Sequence, residues 1–182
     1  MPAIVDCLSE LDLTPKDLTH VAVALGPGGF SAVRVGISAA LGLVVSRKLP
    51  VLGIPTHVIE AYPYVAEITD NTPLYSLIPA GRNEISWSRF ADQPEVDTGV
   101  LAPESLVSQL EPEAILCGEA CDLLTDLVDP SRLRGGHAFT RNPDDILEIA
   151  AEQFAHGKST PYEELRPIYA RPPSISKPKP PK

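Results

Sequence analysis

The sequence predicts an α/β protein in two lobes, and three observations carry that prediction. The apolar run Val21–Leu25 stops at Gly26-Pro27-Gly28-Gly29 and is followed by a helical stretch to about Lys48. A second apolar run, Leu49–Ile54, is closed by Pro55, and strand, helix, strand in one sheet makes a right-handed parallel βαβ unit. Beyond Thr69-Asp70-Asn71-Thr72-Pro73 the pattern changes, and Leu74–Ile78, Glu84–Phe90 and Glu95–Val100 read as an antiparallel meander.

Residues 1–11 read as a helix with Ile4, Leu8 and Leu11 on one face and Pro2 tolerated in its first turn. Leu13–Leu18 is a turn with room for a short helix, Thr14 capping and Pro15 at its first position. The central helix follows the first strand, with Ser31 where an N-cap belongs and basic residues in its last turn. Its small residues recur at Ala32, Gly36 and Ala40, and Ser38, Gly42 and Ser46 form an adjoining stripe. Each mid-helix glycine costs about 1 kcal/mol against alanine, so propensity does not explain them; close packing by another backbone does.

Thr56 caps a further helix, bent at Pro63. In the second lobe Pro103–Leu110 is a short helix, Ala114–Cys117 a strand and Glu119–Val128 a helix. Asn142-Pro143-Asp144-Asp145 opens a last helix to about His156, acidic at its start as the helix dipole favours. Seven of the twenty prolines fall from Pro161 onward, which predicts an extended or mobile tail after Arg171. The lobes are drawn as residues 1–68 and 69–160, followed by a Pro/Lys-rich tail over 161–182. Two parallel strands are few for a sheet. The expectation is that a partner completes the sheet or that strands precede Met1.

The chain of 182 residues is 43 % apolar and carries a net charge of −9. Six basic residues lie from Gly157 onward, leaving residues 1–156 with 22 acids against 9 bases, a net −13. A body that acidic repels phosphate backbones, which argues against direct nucleic-acid binding. Three widely placed cysteines and no signal peptide indicate free thiols in a reducing cytoplasm. Cys117-x-x-x-Cys121 lacks the second pair that a zinc site needs. The longest uncharged run of the central helix, Val35–Ser46, is too short to span a bilayer.

The Gly26–Gly29 loop leaves a strand and opens a helix, the arrangement of an anion-binding loop, and Arg34 sits on the helix's first turn. It carries neither the Gly-Lys-Ser/Thr of a P-loop nor the third glycine of a dinucleotide fingerprint. A tight strand-to-helix turn accounts for the same residues. The four histidines are scattered, and the acid pairs Asp144-Asp145 and Glu163-Glu164 read as helix-start and turn residues. No nucleophile, base and orienting group are associated by spacing.

Gly26-Pro27-Gly28-Gly29-Phe30-Ser31-Ala32-Val33-Arg34-Val35-Gly36 resembles the TsaB (YeaZ-type) family, whose hallmark is GPGSFTGxRxG. The likeness continues through Leu49–Ile54 and returns at Pro167-Ile168-Tyr169-Ala170-Arg171, similar to a closing Pro-x-Tyr-x-Arg. The resemblance implies a degenerate actin/Hsp70-like (ASKHA) ATPase fold. It further implies a non-catalytic cytoplasmic scaffold of the machinery that places threonylcarbamoyl on adenosine 37 of ANN-decoding tRNAs. Its partners would be the catalytic paralogue TsaD and the ATPase TsaE, with a homodimer when the partner is absent, and tRNA reached only through the complex. No tightly bound cofactor is implied; ATP or ADP would sit only at the partner interface, with Gly26, Pro27, Gly28, Gly29, Phe30, Ser31 and Arg34 as the motif loop. A partner face would use Ile4, Leu8, Ala32, Gly36 and Ala40 on two helices packed side by side. No metal site and no catalytic residue are expected.

The chain departs from the pattern at Gly29, Ser31 and Ala32, and at Pro79, where the family often has an acid. Family members also begin with a strand and hairpin carrying an Asp-Thr/Ser motif, which leads to the expectation that such a segment is encoded upstream of Met1. The alternative function is a nucleotide-binding enzyme of the same superfold using the Gly26–Gly29 loop. A metallopeptidase, the third class, requires a stoichiometric metal.

Overall fold

A computed structural model describes residues 2–69, 72–81, 83–91, 97–134 and 141–171. Met1, Asp70, Asn71, Arg82, Glu95, His137 and the tail beyond Arg171 lie outside the described residues, so the readings placed on them stay there. Helix α1 covers Pro2–Glu10, strand β1 Val21–Ala24, α2 Phe30–Val44 and β2 Val51–Ile54. β1 and β2 pair in parallel, Val21 opposite Val51 and Ala24 opposite Ile54, so the βαβ unit forms as read. The alternation along both strands sorts their side chains. Val21, Val23, Leu25 and Val51 meet α2 through Ile37 and Val44, while Ala22, Ala24, Leu52 and Ile54 form the opposite face.

That opposite face is covered by α3 (Thr56–Ala61) and by α5 (Pro143–Ala155), through Ile59, Ile149 and Ala150. Composition grouped α5 with the second lobe, but its apolar stripe lies on the first. Asn142 caps it, accepting the Asp144 N–H at 3.1 Å. The segment after it returns to the same lobe. The Thr160 N–H donates to Val51 O at 2.7 Å, the Ile168 N–H to Leu25 O at 2.7 Å, and the Tyr162 hydroxyl to Leu49 O at 2.9 Å. Leu165 is buried in the α2-side core. Residues 160–168 are therefore a strap across the first lobe, although the composition assigned 161–182 to a tail.

The second sheet has the order β5-β4-β3-β6-β7. Its strands are β3 (Leu74–Pro79), β4 (Ile85–Phe90), β5 (Asp97–Leu101), β6 (Ile115–Cys117) and β7 (Leu133–Arg134). β3, β4 and β5 are the predicted meander, and β6 and β7 add in parallel. One face holds Tyr75, Leu77, Ile85 and Leu116 under α4 (Pro103–Val107), with Leu106, Ala120 and Leu124 closing that core. The other face, with Leu74, Phe90, Ile115 and Cys117, meets Ala61 of α3, Tyr64 and Ile68. α3 is thus shared, one side packed on each lobe.

Four local expectations are corrected. α2 begins at Phe30 with Gly29 at its N-cap and no side-chain cap, so Ser31 is an exposed first-turn residue rather than the cap. Arg47 stands beyond the helix end and donates to Pro15 O at 2.9 Å and Leu18 O at 3.1 Å. No helix forms at Thr14–Leu18, because Asp17 accepts both the N–H and hydroxyl of Thr14, at 2.8 and 2.7 Å, and closes a turn instead. Glu119–Val128 is a 3-10 helix over Glu119–Leu124 followed by turns. The burial of Ala120, Cys121 and Leu124 against the sheet is satisfied without a full α-helix. Nothing in the sequence pattern signalled the two-residue β7. Among the described residues no helix is long and apolar enough to cross a membrane.

Candidate functional site

The motif loop joins three parts of the chain. Gly26 adopts φ +94°, a conformation that favours glycine, and its carbonyl accepts the Thr56 N–H at 2.8 Å. Gly26 and Pro27 are buried, whereas Gly28, Gly29, Phe30, Ser31 and Arg34 are exposed. The Phe30 ring stacks on Tyr169, centroids 5.1 Å apart, and the Arg34 guanidinium lies over Phe30 at 4.6 Å. The strand-to-helix turn and the closing Pro-x-Tyr-x-Arg segment therefore meet in space, 140 residues apart in sequence. Around them lie two cavities between the lobes. One, of about 310 Å³, is bounded by Gly28–Phe30, Pro79–Gly81 and Tyr169–Arg171. The other, of about 290 Å³, has Pro27, His57, Ser86, Thr98, Ile168 and Tyr169 among its walls.

Sequence reasoning missed what lies on the floor of the second cavity. His57, 6 % exposed, hydrogen-bonds through Nδ1 to Ser76 Oγ at 2.9 Å and through Nε2 to Ser86 Oγ at 3.1 Å. The strands place both serines on the α3 side, since Ser76, Ser86 and Ser88 occupy alternate, same-face positions across the β3–β4 pair. Small hydroxyls at alternate positions of otherwise apolar strands were the signal available in the sequence. Burial pushes the His57 imidazole down to about 4, the Arg141 charge adding to the effect and the Ser76 backbone opposing it. The trio has the connectivity of nucleophile, base and orienter, but not the chemistry. A base that weak is a poor proton acceptor at neutral pH, and a serine offers no charge to stabilise an imidazolium. It is a fixed neutral polar group.

A stability test follows from that burial. The unfolded histidine titrates near 6.5 and the folded one near 4, so the unfolded chain binds more protons between those values. Stability is undiminished by this group above pH 6.5 and falls as the pH drops toward 4, by about 3 kcal/mol at 1.36 kcal/mol per unit. Urea titrations from pH 7 to 4 are expected to show this loss in the native chain and a smaller one in His57→Gln. Equal slopes would refute it.

Beside this group, Arg141 donates to the buried Glu60 at 2.7 Å and to Glu119 at 2.6 Å, fastening the approach to α5 onto α3. Cys117 and Cys121 are buried, with burial pushing both thiols up, Cys121 to about 12; only Cys7 is exposed. Neither buried thiol is a thiolate nucleophile at neutral pH. No three His, Cys, Asp or Glu side chains converge to hold a metal among the described residues.

The five residues read as a partner face divide. Ala32 is exposed and Ile4 half-buried, while Leu8 and Ala40 are buried. Gly36 is half-buried, and a Cβ there would lie 3.9 Å from Val23 Cγ2 of the lobe's own β1. The exposed residues of α1 and α2 include Val5, Ala32, Val35, Ser38 and Gly42, with Val35 67 % exposed and Val45 exposed just past the end of α2.

Comparison with known proteins places this architecture. The family model for TsaD, tRNA N6-adenosine threonylcarbamoyltransferase, matches residues 1–112. The tRNA threonylcarbamoyladenosine biosynthesis protein TsaB of Escherichia coli (strain K12) is 29 % identical over 94 % of this chain and 78 % of its own length. The TsaB of Haemophilus influenzae is 26 % identical over the same shares. A crystal structure from Pseudomonas aeruginosa, of a protein with similarity to peptidase YEAZ, superposes with a TM-score of 0.69 at 23 % identity, over 93 % of this chain and 82 % of that one. At that identity the likeness speaks for the fold, which is ASKHA-like.

Proposed function

The chain belongs to the tRNA N6-adenosine threonylcarbamoyltransferase (TsaD) family, as a protein of TsaB/YeaZ type, and from that premise we propose that it is the non-catalytic scaffold subunit of tRNA threonylcarbamoyladenosine biosynthesis. Its role lies in the TsaD-containing complex. It docks the catalytic TsaD subunit, the ATPase TsaE joins that assembly, and tRNA is engaged through the assembly rather than by this acidic chain alone. The observation that carries the reading is the uncovered small-residue and apolar face of α2, where Val35 is 67 % exposed in the middle of a 15-residue helix. Without a partner the same face supports a homodimer. ATP or ADP is held only where the partner adds its own wall.

Val35→Asp tests the docking face. The substitution is solvent-exposed and is expected to leave unfolding within about 0.5 kcal/mol of the native chain. Association with purified TsaD, read by calorimetry, is expected to weaken about 100-fold, as for a charge placed at the centre of an interface. Unchanged affinity would remove α2 from the interface.

The second reading, a nucleotide-binding enzyme, is favoured by one observation: the first turn of α2 has no side-chain cap and borders the 310 Å³ cavity. Titration of the isolated chain with magnesium-ATP decides between the two. Tight binding without TsaD supports the enzyme, and weak or absent binding supports the scaffold.

A further inference from the structure

α2 runs for 15 residues, and Arg34 is the one charged side chain in it. Along the outer side of the helix the exposed residues Ser31, Val35, Ser38 and Gly42 recur at helical spacing. Arg34 stands beside this line, three residues from Ser31 and four from Ser38. A lone cation on a helix commonly serves an acidic neighbour, as Arg89, Arg134, Arg141 and Arg171 each do elsewhere in the chain. Arg34 does not. Among the described residues its guanidinium has no hydrogen bond and no ion pair, and it lies instead over the Phe30 ring, 4.6 Å from the centroid. Phe30 is in turn backed by Tyr169. The stack holds the guanidinium plane in place and leaves its fork of N–H donors open.

We propose that Arg34 anchors the docking face by taking an Asp or Glu carboxylate of the TsaD subunit, a contact that rests on the docking of TsaD to α2. A partner that covers the Val35 side of α2 strips water from the guanidinium beside it. A cation desolvated without a counter-charge is strongly disfavoured, so whatever covers this face has to bring an oxyanion. A planar carboxylate fits the fork, accepting two parallel N–H bonds. Phosphate is the poorer match in this place. Residues 1–156 carry a net −13, which repels a polyanion. The 310 Å³ cavity beside the motif loop has Phe30 but not Arg34 among its described walls, so Arg34 lies outside the place that would hold a nucleotide.

The full chain and its variants are titrated calorimetrically with purified TsaD at salt from about 0.05 to about 0.5 M, with and without magnesium-ATP. Without nucleotide, Arg34→Gln is expected to weaken association about 30-fold at the lowest salt and to flatten its salt dependence, with thermal unfolding unchanged. Arg34→Lys keeps the charge and loses the fork, and is expected to fall between the two. Exchanging the charges identifies the acceptor. Arg34→Glu is expected to abolish binding, and one exposed acid of TsaD changed to arginine is expected to restore it. Native affinity in Arg34→Gln, or no acid of TsaD that rescues Arg34→Glu, would overturn the proposal. So would a loss seen only with magnesium-ATP present, which puts a nucleotide phosphate on Arg34 in place of a carboxylate. Val35→Asp separates this contact from docking itself. A loss in Val35→Asp with Arg34→Gln unaffected leaves the docking of TsaD standing and removes the carboxylate contact, whereas no association of the native chain with TsaD removes both.

Discussion

Gly26→Ala is expected to destabilise the fold by about 2–6 kcal/mol. The residue sits at φ +94°, where an alanine is strained by about 1–3 kcal/mol, and an added Cβ would lie 2.5 Å from the Ile168 carbonyl oxygen. Backbone cannot yield there, because Ile168 is itself tied through its N–H to Leu25 and the Gly26 carbonyl holds Thr56. Overfilling adds about 1–3 kcal/mol. Gly28→Ala is the control: its Cβ would meet only Val33 Cγ2, at an ordinary 3.5 Å, and a change under about 1 kcal/mol is expected. Urea midpoints at constant m-value measure both, and a Gly26→Ala loss below about 1 kcal/mol would mean that the strap moves aside.

Leu165→Ala is expected to cost about 2–5 kcal/mol, the range for a leucine truncated in a packed core. Leu165 is 4 % exposed within the cluster of Leu25, Ile37, Val44 and Val51, and its Cδ2 lies 3.0 Å from where a Cβ on Gly53 would stand. Its neighbour Arg166 is exposed, and Arg166→Ala is expected to change stability by less than about 0.5 kcal/mol. If both substitutions were silent in thermal unfolding, residues 160–168 would be an ornament on the first lobe and not part of it.

The βαβ unit and the meander were legible because their signals are local: apolar runs of strand length, a helical period between two of them, and turn residues at their ends. The strap was not legible. Leu165 is one apolar residue among prolines and charges, and only its hydrogen-bonded neighbours at Thr160, Tyr162 and Ile168 fix it against strands more than 100 residues earlier. The small residues of α2 do not share one face: Ala32 is exposed, Ala40 is buried, and Gly36 is half-buried with room for a Cβ at an ordinary 3.9 Å from Val23 of β1. His57 and its serines could not be associated with one another from the sequence, for a third reason. Each is unremarkable where it stands, and the pairing of β3 with β4 is what brings the serines under α3.

The strap also sets an order of events during synthesis. Residues 74–134 contain every strand of the second sheet and can close upon themselves as they leave the ribosome. β1 and β2 of the first lobe receive α5 and then Leu165 and Ile168 only after the strands of the second sheet have emerged. At about 5–20 residues per second, the α5-side surface of β1 and β2 waits uncovered for several seconds while the younger sheet folds first. The earlier-made strands β1 and β2 are thus covered after the later-made sheet, and through their α5-side surface the nascent chain is most exposed to holdase chaperones and proteases.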